Sequence, residues 1–258
     1  VYLEEIIAAH RTGALGDTRS LSALIDQAKR AGETRGFVDR LRSDTHTGLA
    51  VIAEIKRKSP SKGDLNPHLD PVRLAKTYES AGASCMSVLT DHQFFGGSVD
   101  DLQAARAATQ LPVLRKDFTV SLQDVCDARL MGADCVLLIV AALSLGELRD
   151  MHTLATEIGL DVLVETHDEA EIEQALEVDA RMIGVNQRDL KTFEVDHQRA
   201  VRVAPMIPEG VLKVAESGVR HEHDAAHLRE AGYDAILVGE TLVVAGDPAA
   251  TLASLRIR

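Results

Sequence analysis

From Leu49 onward the chain repeats one pattern eight times: a short apolar run, a polar or charged ending, then a segment with apolar residues at helical spacing. The apolar runs occupy residues 50–55, 85–89, 112–114, 135–140, 161–164, 182–185, 212–215 and 235–238. Between them, Leu122, Val125, Cys126 and Leu130 recur at i, i+3, i+4 and i+8, and Leu145, Leu148, Met151, Ala155 and Ile158 share a face. Ser98, Ser121 and Ser144 stand where helix N-caps are expected. Gly82, Gly132 and Gly232 stand where a helix ends in a left-handed residue. Strands that read as continuous apolar runs are buried on both faces, which predicts a parallel sheet covered by helices. Eight such units favour closure into an α/β fold, the (β/α)8 or TIM barrel, over residues 49–258. Residues 1–48 carry Leu3, Ile6, Ile7, Leu21, Leu24 and Ile25 at helical spacing and predict an N-terminal helical extension packed on the barrel.

Composition narrows the function. The 258 residues suit one barrel, and 45% hydrophobic content supplies its core. Aromatics make up 3% and Trp is absent, which argues against a carbohydrate groove or a stacking platform for single strands. A net charge of −12 disfavours nucleic-acid and anionic-membrane partners, so positive potential for an anionic ligand has to be local. Cys85, Cys126 and Cys135 lie in apolar segments without metal-ligand spacing and read as reduced core thiols of a cytoplasmic protein. The apolar run at residues 136–143 is too short for a membrane span, and no signal peptide precedes it. An acidic surface of this kind suits a monomer or a homodimer.

Barrel chemistry sits at the C-terminal ends of the strands. Strand one, within VIAEIKRKSPSKG, places Glu54 and Lys56 two residues apart, hence on one face and roughly 7 Å apart at Cα. Inward charges on a buried strand are costly unless paired or used. The loop that follows holds Ser59, Pro60 and Ser61 and reads as an anion-binding turn. Strand two leads into Phe94-Phe95-Gly96-Gly97-Ser98, an aromatic loop able to cover an apolar ring. Strand three presents Lys116, strand five Glu165, and strand six Asn186 and Arg188, while strand four ends in Ile139-Val140 and supplies an apolar wall. Strands seven and eight end in Glu216-Ser217-Gly218 and Gly239-Glu240, the recurrent phosphate site of barrels, built from backbone N–H groups and a helix N-terminus. Paired amines and carboxylates suit acid–base chemistry on a carbonyl. Clustered lysines lower one another's pKa and acidic neighbours oppose that shift, a balance the sequence leaves open.

Eight ordered motifs, one per strand, give these residues a family likeness: VIAEIKRKSPSKG, SVLTD with FFGGS, PVLRKDF, LLIVAAL, LVETH, IGVNQRDL, VAESGV and ILVGE. From about Arg35 to the C-terminus the chain resembles indole-3-glycerol-phosphate synthases of tryptophan biosynthesis. The resemblance implies a carbon–carbon lyase that cyclises 1-(2-carboxyphenylamino)-1-deoxyribulose 5-phosphate to indole-3-glycerol phosphate with loss of CO2 and water. It implies no metal and no organic cofactor. It casts Lys116 as the acid that protonates the ribulose carbonyl. Lys56 falls near the substrate carboxylate with an acid role in dehydration, and Glu54 is the base of that step. Glu165 supports charge on the ring nitrogen or takes a proton, and Asn186 and Arg188 position hydroxyls, carboxylate and lysines. Glu216 and Ser217 match the family's ESG, with Ser217 and Gly218 on the phosphate beside the Ser59 and Gly239-Glu240 cradle read from the strand ends, and Phe95 and Phe118 flank the anthranilate ring. Gln187 departs from the motif, where Asn is common.

The chain opens on Val1 rather than Met, which suggests trimmed numbering, and it ends soon after strand eight. A monofunctional protein, without a fused phosphoribosylanthranilate isomerase barrel, is expected. Two other readings of the same residues stay open: a Schiff-base aldolase with Lys116 or Lys56 as nucleophile, and a sugar-phosphate isomerase. A barrel that binds without catalysing would be expected to lack one of Glu54, Lys56, Lys116, Glu165 or Asn186, and all are present.

Overall fold

Eight parallel strands close on themselves in chain order in the computed structural model, which describes residues 2–60, 62–189 and 192–257. The barrel strands are β1 (Ala50–Ile55), β2 (Cys85–Leu89), β3 (Val113–Lys116), β4 (Cys135–Ile139), β5 (Asp161–Thr166), β6 (Met182–Asn186), β7 (Leu212–Glu216) and β8 (Ala235–Val238). Ring closure is the pairing of β1 with β8, in the register Ala50 with Ala235 to Ala53 with Val238. The (β/α)8 expectation is met. No helix among the described residues is long and apolar enough to cross a membrane.

Strands β3, β5, β6 and β7 run one or two residues beyond the apolar runs that announced them, and those last residues include Lys116, Glu165, Asn186 and Glu216. Apolarity marks burial, whereas the ladder continues as long as neighbouring backbones pair. These polar side chains end their strands inside the barrel mouth, where Lys116 and Asn186 both donate to Glu165 and Lys116 also faces Glu216. At β4 the difference has the opposite sign: Val140 already belongs to a 3-10 turn, Val140–Ala142.

The helices follow the local chemistry of their ends. Ser98, Ser121 and Ser144 cap α5 (Val99–Ala108), α6 (Leu122–Leu130) and α7 (Leu145–Glu157), the last two with reciprocal capping boxes through Asp124 and Glu147. Asp70 and Pro71 start α4 (Pro71–Ser80). Gly82, Gly132 and Gly232 have φ of +89°, +94° and +90°, which lets each helix stop and turn back to its strand. Along α6, Val125 and Cys126 are buried, but Leu130 at the last position is exposed, and Arg129 turns inward instead to bond the carbonyl of Ile158.

The N-terminal residues form α1 (Tyr2–Leu15), α2 (Leu21–Arg30) and α3 (Phe37–Thr45). Helix α3 buries Phe37, Val38 and Leu41 at the N-terminal end of the barrel, where the Val38 N–H donates to Asp161 at the start of β5. Each such side chain contributes about 1.5–3 kcal/mol by leaving water. Helix α2 lies along α6, with Arg19 just ahead of it pairing Asp127 at 2.7 Å. Helix α1 reaches the opposite, C-terminal end, where Arg11 bonds Glu147 at 2.7 Å and His10 approaches Asp91 at 3.0 Å. The extension therefore seals one end of the barrel and borders the other.

Candidate active site

The residues expected to act on or bind the substrate, from Glu54 on β1 to Glu240 after β8, all line one cavity of about 660 Å3 at the C-terminal end of the barrel, whereas Phe94 and Val140 do not. Ser59 is among them; Ser61 lies outside the described residues. The size is that of a small-molecule site. Its walls are the apolar Leu137 and Ile139 of β4, the rings of Phe95 and Phe118 with centroids 6.4 Å apart, and, from α1, Leu3 and Ile6.

At the centre is Lys116. Its ammonium lies 3.0 Å from Glu165 Oε2 and 3.7 Å from Glu216 Oε2. Burial pulls its pKa down, but the fields of Glu165, Glu216 and Glu54 and the hydrogen bond to Glu165 outweigh that, and the amine is held above the ordinary lysine value. The carboxylates win the balance that the sequence left open. Lys116 is an ammonium at neutral pH, a proton donor rather than a free nucleophile.

The two glutamates beside it differ in kind. Burial pushes both up, yet Glu165 meets Lys116, His167 at 3.5 Å and the Asn186 amide at 3.1 Å, and these cations and donors hold it well below the usual carboxylate range. Glu216 has no comparable set of donors among the described residues. Burial and the charge of Glu165 push it up to about 8 against the pull of Lys116, so it carries a proton at neutral pH. Between pH 4.5, its ordinary value, and about 8 the folded chain holds a proton that the unfolded chain has released. Stability from this group therefore falls as pH rises through that window. Glu216→Gln is expected to remove the slope, raising Tm by at least about 3 °C at about pH 8.5 with little change at about pH 5, as read by thermal melts. A parallel pH profile in both proteins would contradict the assignment.

On the other side, Lys56 Nζ lies 2.7 Å from Glu54 Oε1, and the Ser87 hydroxyl donates to Glu54 Oε2 at 3.1 Å. Of the two reliefs open to inward charges here, pairing is present, with Lys56 just beyond the last residue of β1. Two glycines make room for the carboxylates. A Cβ on Gly239 would stand 2.3 Å from Glu54 Oε1, and one on Gly184 would stand 2.2 Å from Glu216 Oε1. The sequence singled out Gly239 for a phosphate turn and missed that it also backs Glu54.

The phosphate-type end is a turn at Ser217 and Gly218, with φ of +63° and +79°, facing Gly239 at the start of the short helix Glu240–Val243. Left-handed backbone at Ser217 is strained for a residue with a Cβ and is held here by the Gln187 side chain, which donates to the Ser217 carbonyl at 2.8 Å. Gln187, which departs from the family motif, thus has a clear structural part. Glu240 is engaged by Lys62 and stands 3.8 Å from the Arg188 guanidinium. Its carboxylate is charge-balanced, which leaves its backbone as the part suited to an anion.

Two histidines escaped the sequence reading. His167 bridges Glu165 and Glu171, at 2.9 Å from the latter; burial would lower its pKa, but these carboxylates raise it to about 9. His10 sits between Asp91 and Asp117, and these three are the group among the described residues whose ligand atoms come within 4.8 Å of one another. Their oxygens are already engaged: Asp91 accepts from the N–H groups of Phe94 and Phe95, and Asp117 from Phe118 N–H, the Thr90 hydroxyl and Arg115. The arrangement is a hydrogen-bonded knot rather than a metal centre.

The fold and these residues have known counterparts. The family model described as indole-3-glycerol phosphate synthase matches residues 3–255. A protein of that name from Bordetella pertussis is 46% identical over 250 residues, covering 96% of this chain and 95% of its own. Another, from Streptomyces griseus, is 50% identical over 236 residues, covering 92% and 87%. Among solved structures, thiamine phosphate pyrophosphorylase from Pyrococcus furiosus superposes with a TM-score of 0.60 at 16% identity, over 82% of this chain and 95% of that one. The (S)-3-O-geranylgeranylglyceryl phosphate synthase of Thermoplasma acidophilum, in complex with sn-glycerol-1-phosphate, gives 0.57 at 16% identity, over 85% and 96%. At such identity the structural likeness speaks for the barrel alone. The sequence matches carry the assignment: this chain belongs to the indole-3-glycerol phosphate synthase family.

Proposed function

We propose that the chain cyclises 1-(2-carboxyphenylamino)-1-deoxyribulose 5-phosphate to indole-3-glycerol phosphate, releasing CO2 and water, and that the cavity residues divide the work as follows. The phosphate binds the backbone N–H groups of Ser217, Gly218 and Gly239–Glu240, with Ser59 and Arg188 beside it. The anthranilate ring lies against Phe95, Phe118 and the β4 wall. Lys116 donates its proton to the ribulose carbonyl oxygen as the ring carbon bearing the carboxylate attacks. The new C–C bond leaves that carbon tetrahedral, and loss of CO2 returns the electron pair to the ring. Lys56 then protonates the departing hydroxyl while Glu54 takes the proton whose loss completes the indole. Glu165, ionised, stabilises the positive charge on the ring nitrogen, and Asn186 orients it. Glu216, protonated, keeps Lys116 from being over-neutralised.

The observation that supports this reading best is the protonation of Lys116: an ammonium buried in mid-cavity between a phosphate-type turn and an aromatic wall is poised to donate. The same fact works against the Schiff-base aldolase, which needs a neutral amine. Mixing protein and substrate with EDTA present and following indole fluorescence tests the function, since the chain contributes no Trp background. Appearance of indole at a rate proportional to protein is the expected result. Binding without indole, accompanied by borohydride trapping of a phosphosugar on a lysine, would replace this reading with the aldolase.

A further inference from the structure

One charged side chain joins the N-terminal helix to the site, and the reaction does not use it. His10, in the third turn of α1, places Nε2 at 3.0 Å from Asp91 Oδ2 and 3.7 Å from Asp117 Oδ1, with its ring centroid 5.6 Å from that of Phe118. The two carboxylates are the organisers of the aromatic wall. Asp91 Oδ1 caps the Phe94 and Phe95 N–H groups at 2.6 and 3.0 Å, and Asp117 Oδ1 accepts from Phe118 N–H at 2.8 Å. A single imidazole thus ties α1 to both loops that carry the ring-facing phenylalanines. The same helix sends Leu3 and Ile6 into the cavity, so its position sets one wall.

Charge decides when this tie holds. Asp91 and Asp117 are both buried, and the cation paired with them on the barrel side is Arg115, 3.0 Å from Asp117 Oδ2. Asp124 on α6 adds a third negative charge within reach of the ring. Lys116 is turned away to Glu165, and Arg11, the next residue on α1, is spent on Glu147 and the Ala142 carbonyl. Of the other charged groups near by, Glu4 and Glu5 point to solvent from α1 and His92 is exposed beside Asp91. A neutral imidazole leaves the buried carboxylates one positive charge short; an imidazolium supplies it.

We propose that His10, as the imidazolium, is a positioning residue that pins α1 across the ring-binding half of the cavity, and that its deprotonation releases the helix and weakens substrate binding. The Arg11–Glu147 pair, which does not titrate in the same range, stays as the anchor about which the freed helix swings. Burial of the ring opposes its charge, but the Asp91 hydrogen bond with the fields of Asp117, Asp91 and Asp124 prevails, raising His10 above 6.5. The pin is therefore complete below pH 6.5, its unfolded value, and is lost as the pH rises through the raised folded value.

The helix part of the proposal stands without any substrate; the effect on KM rests on the ring-closure reading. Amide exchange of residues 2–15 in the free protein is measured at about pH 6 and about pH 9, as protection factors corrected for intrinsic rates, in the parent, His10→Gln and His10→Lys. The parent is expected to lose about tenfold or more in protection between the two pH values, His10→Lys to stay protected at both, and His10→Gln to be weakly protected at both. KM should follow the same order, rising about fivefold or more in the parent and least in His10→Lys, with kcat moving less than KM. The same course of protection in the parent and His10→Gln overturns the pin, as does an equal rise of KM in all three proteins. If the parent makes no indole at all, the ring-closure reading fails while the exchange data still decide the pin.

Discussion

Lys116→Ala is expected to lower kcat by about 10³-fold or more while KM changes by less than about tenfold, because in the proposed mechanism it removes an acid used in the transition state and little of the substrate's binding surface. The substitution also strands Glu165 and Glu216, which face the ammonium from 3.0 and 3.7 Å. Breaking a buried pair costs about 3–5 kcal/mol when the remaining charge has no relief. Here Glu165 can take up a proton, so a loss nearer 1–3 kcal/mol is expected and the protein still folds. Lys116→Arg separates the two roles of the side chain. A guanidinium keeps the positive charge but does not release its proton near neutral pH. The Arg protein should therefore recover most of the Tm and little of the turnover. Turnover within tenfold of the parent in either variant would remove Lys116 from the acid role.

Glu165→Gln should lower kcat by about 10²–10³-fold and, unlike a simple loss of one carboxylate, should rearrange protons around it. With the Glu165 charge gone, burial still raises Glu216, but the neighbouring charge that adds to that rise is removed and Lys116 no longer has Glu165 as its nearer partner. Its pKa should fall, which favours Glu216 as the counter-ion of Lys116. His167 loses one of the two carboxylates that raise it to about 9, and its ring should titrate at lower pH, which NMR of the imidazole protons reads directly. The sign for stability follows. What His167 contributes in the parent is present below pH 6.5 and lost through about 9, and in the variant that loss moves to lower pH. An unmoved His167 titration would mean that Glu171 alone sets it, and the coupling between the two sites would be wrong.

The barrel was legible because each of its parts has a local signature. Ser121 with Asp124, or Gly132 after Met131, announces a helix end within four residues, and an uninterrupted run such as 135–139 announces a strand buried on both faces. Strand-end chemistry was legible for the same reason, since Glu54, Lys56, Lys116 and Glu165 interrupt apolar runs where an unpaired charge would be costly. What stayed hidden depends on contacts between residues far apart in the chain. Leu3 and Ile6 at helical spacing look like any packing stripe, and nothing near them says that they line the cavity at the barrel mouth. His10 is ordinary until Asp91 and Asp117, 81 residues and more away, are folded against it. His167 lies in the motif Leu-Val-Glu-Thr-His, but its bond to Glu171 becomes visible only once the start of α8 (Glu169–Glu177) fixes the turn between them.

The closed order of the strands has a consequence for how the enzyme could be divided. The strands β1 to β4 bring Glu54, Lys56 and Lys116, and β5 to β8 bring Glu165, Asn186, Glu216 and the Ser217-Gly218 turn. The first half holds both central lysines, and the second holds both carboxylates that embrace Lys116. Two seams join the halves, β4 with β5 and β8 with β1, and the Lys116 cluster spans the space between them. A polypeptide split in the turn after α7 would thus yield two fragments with opposite parts of one machine, each with two open sheet edges that pair with those of the other. Neither alone could turn over substrate, and the return of indole fluorescence on mixing would count, molecule by molecule, the barrels that had reassembled.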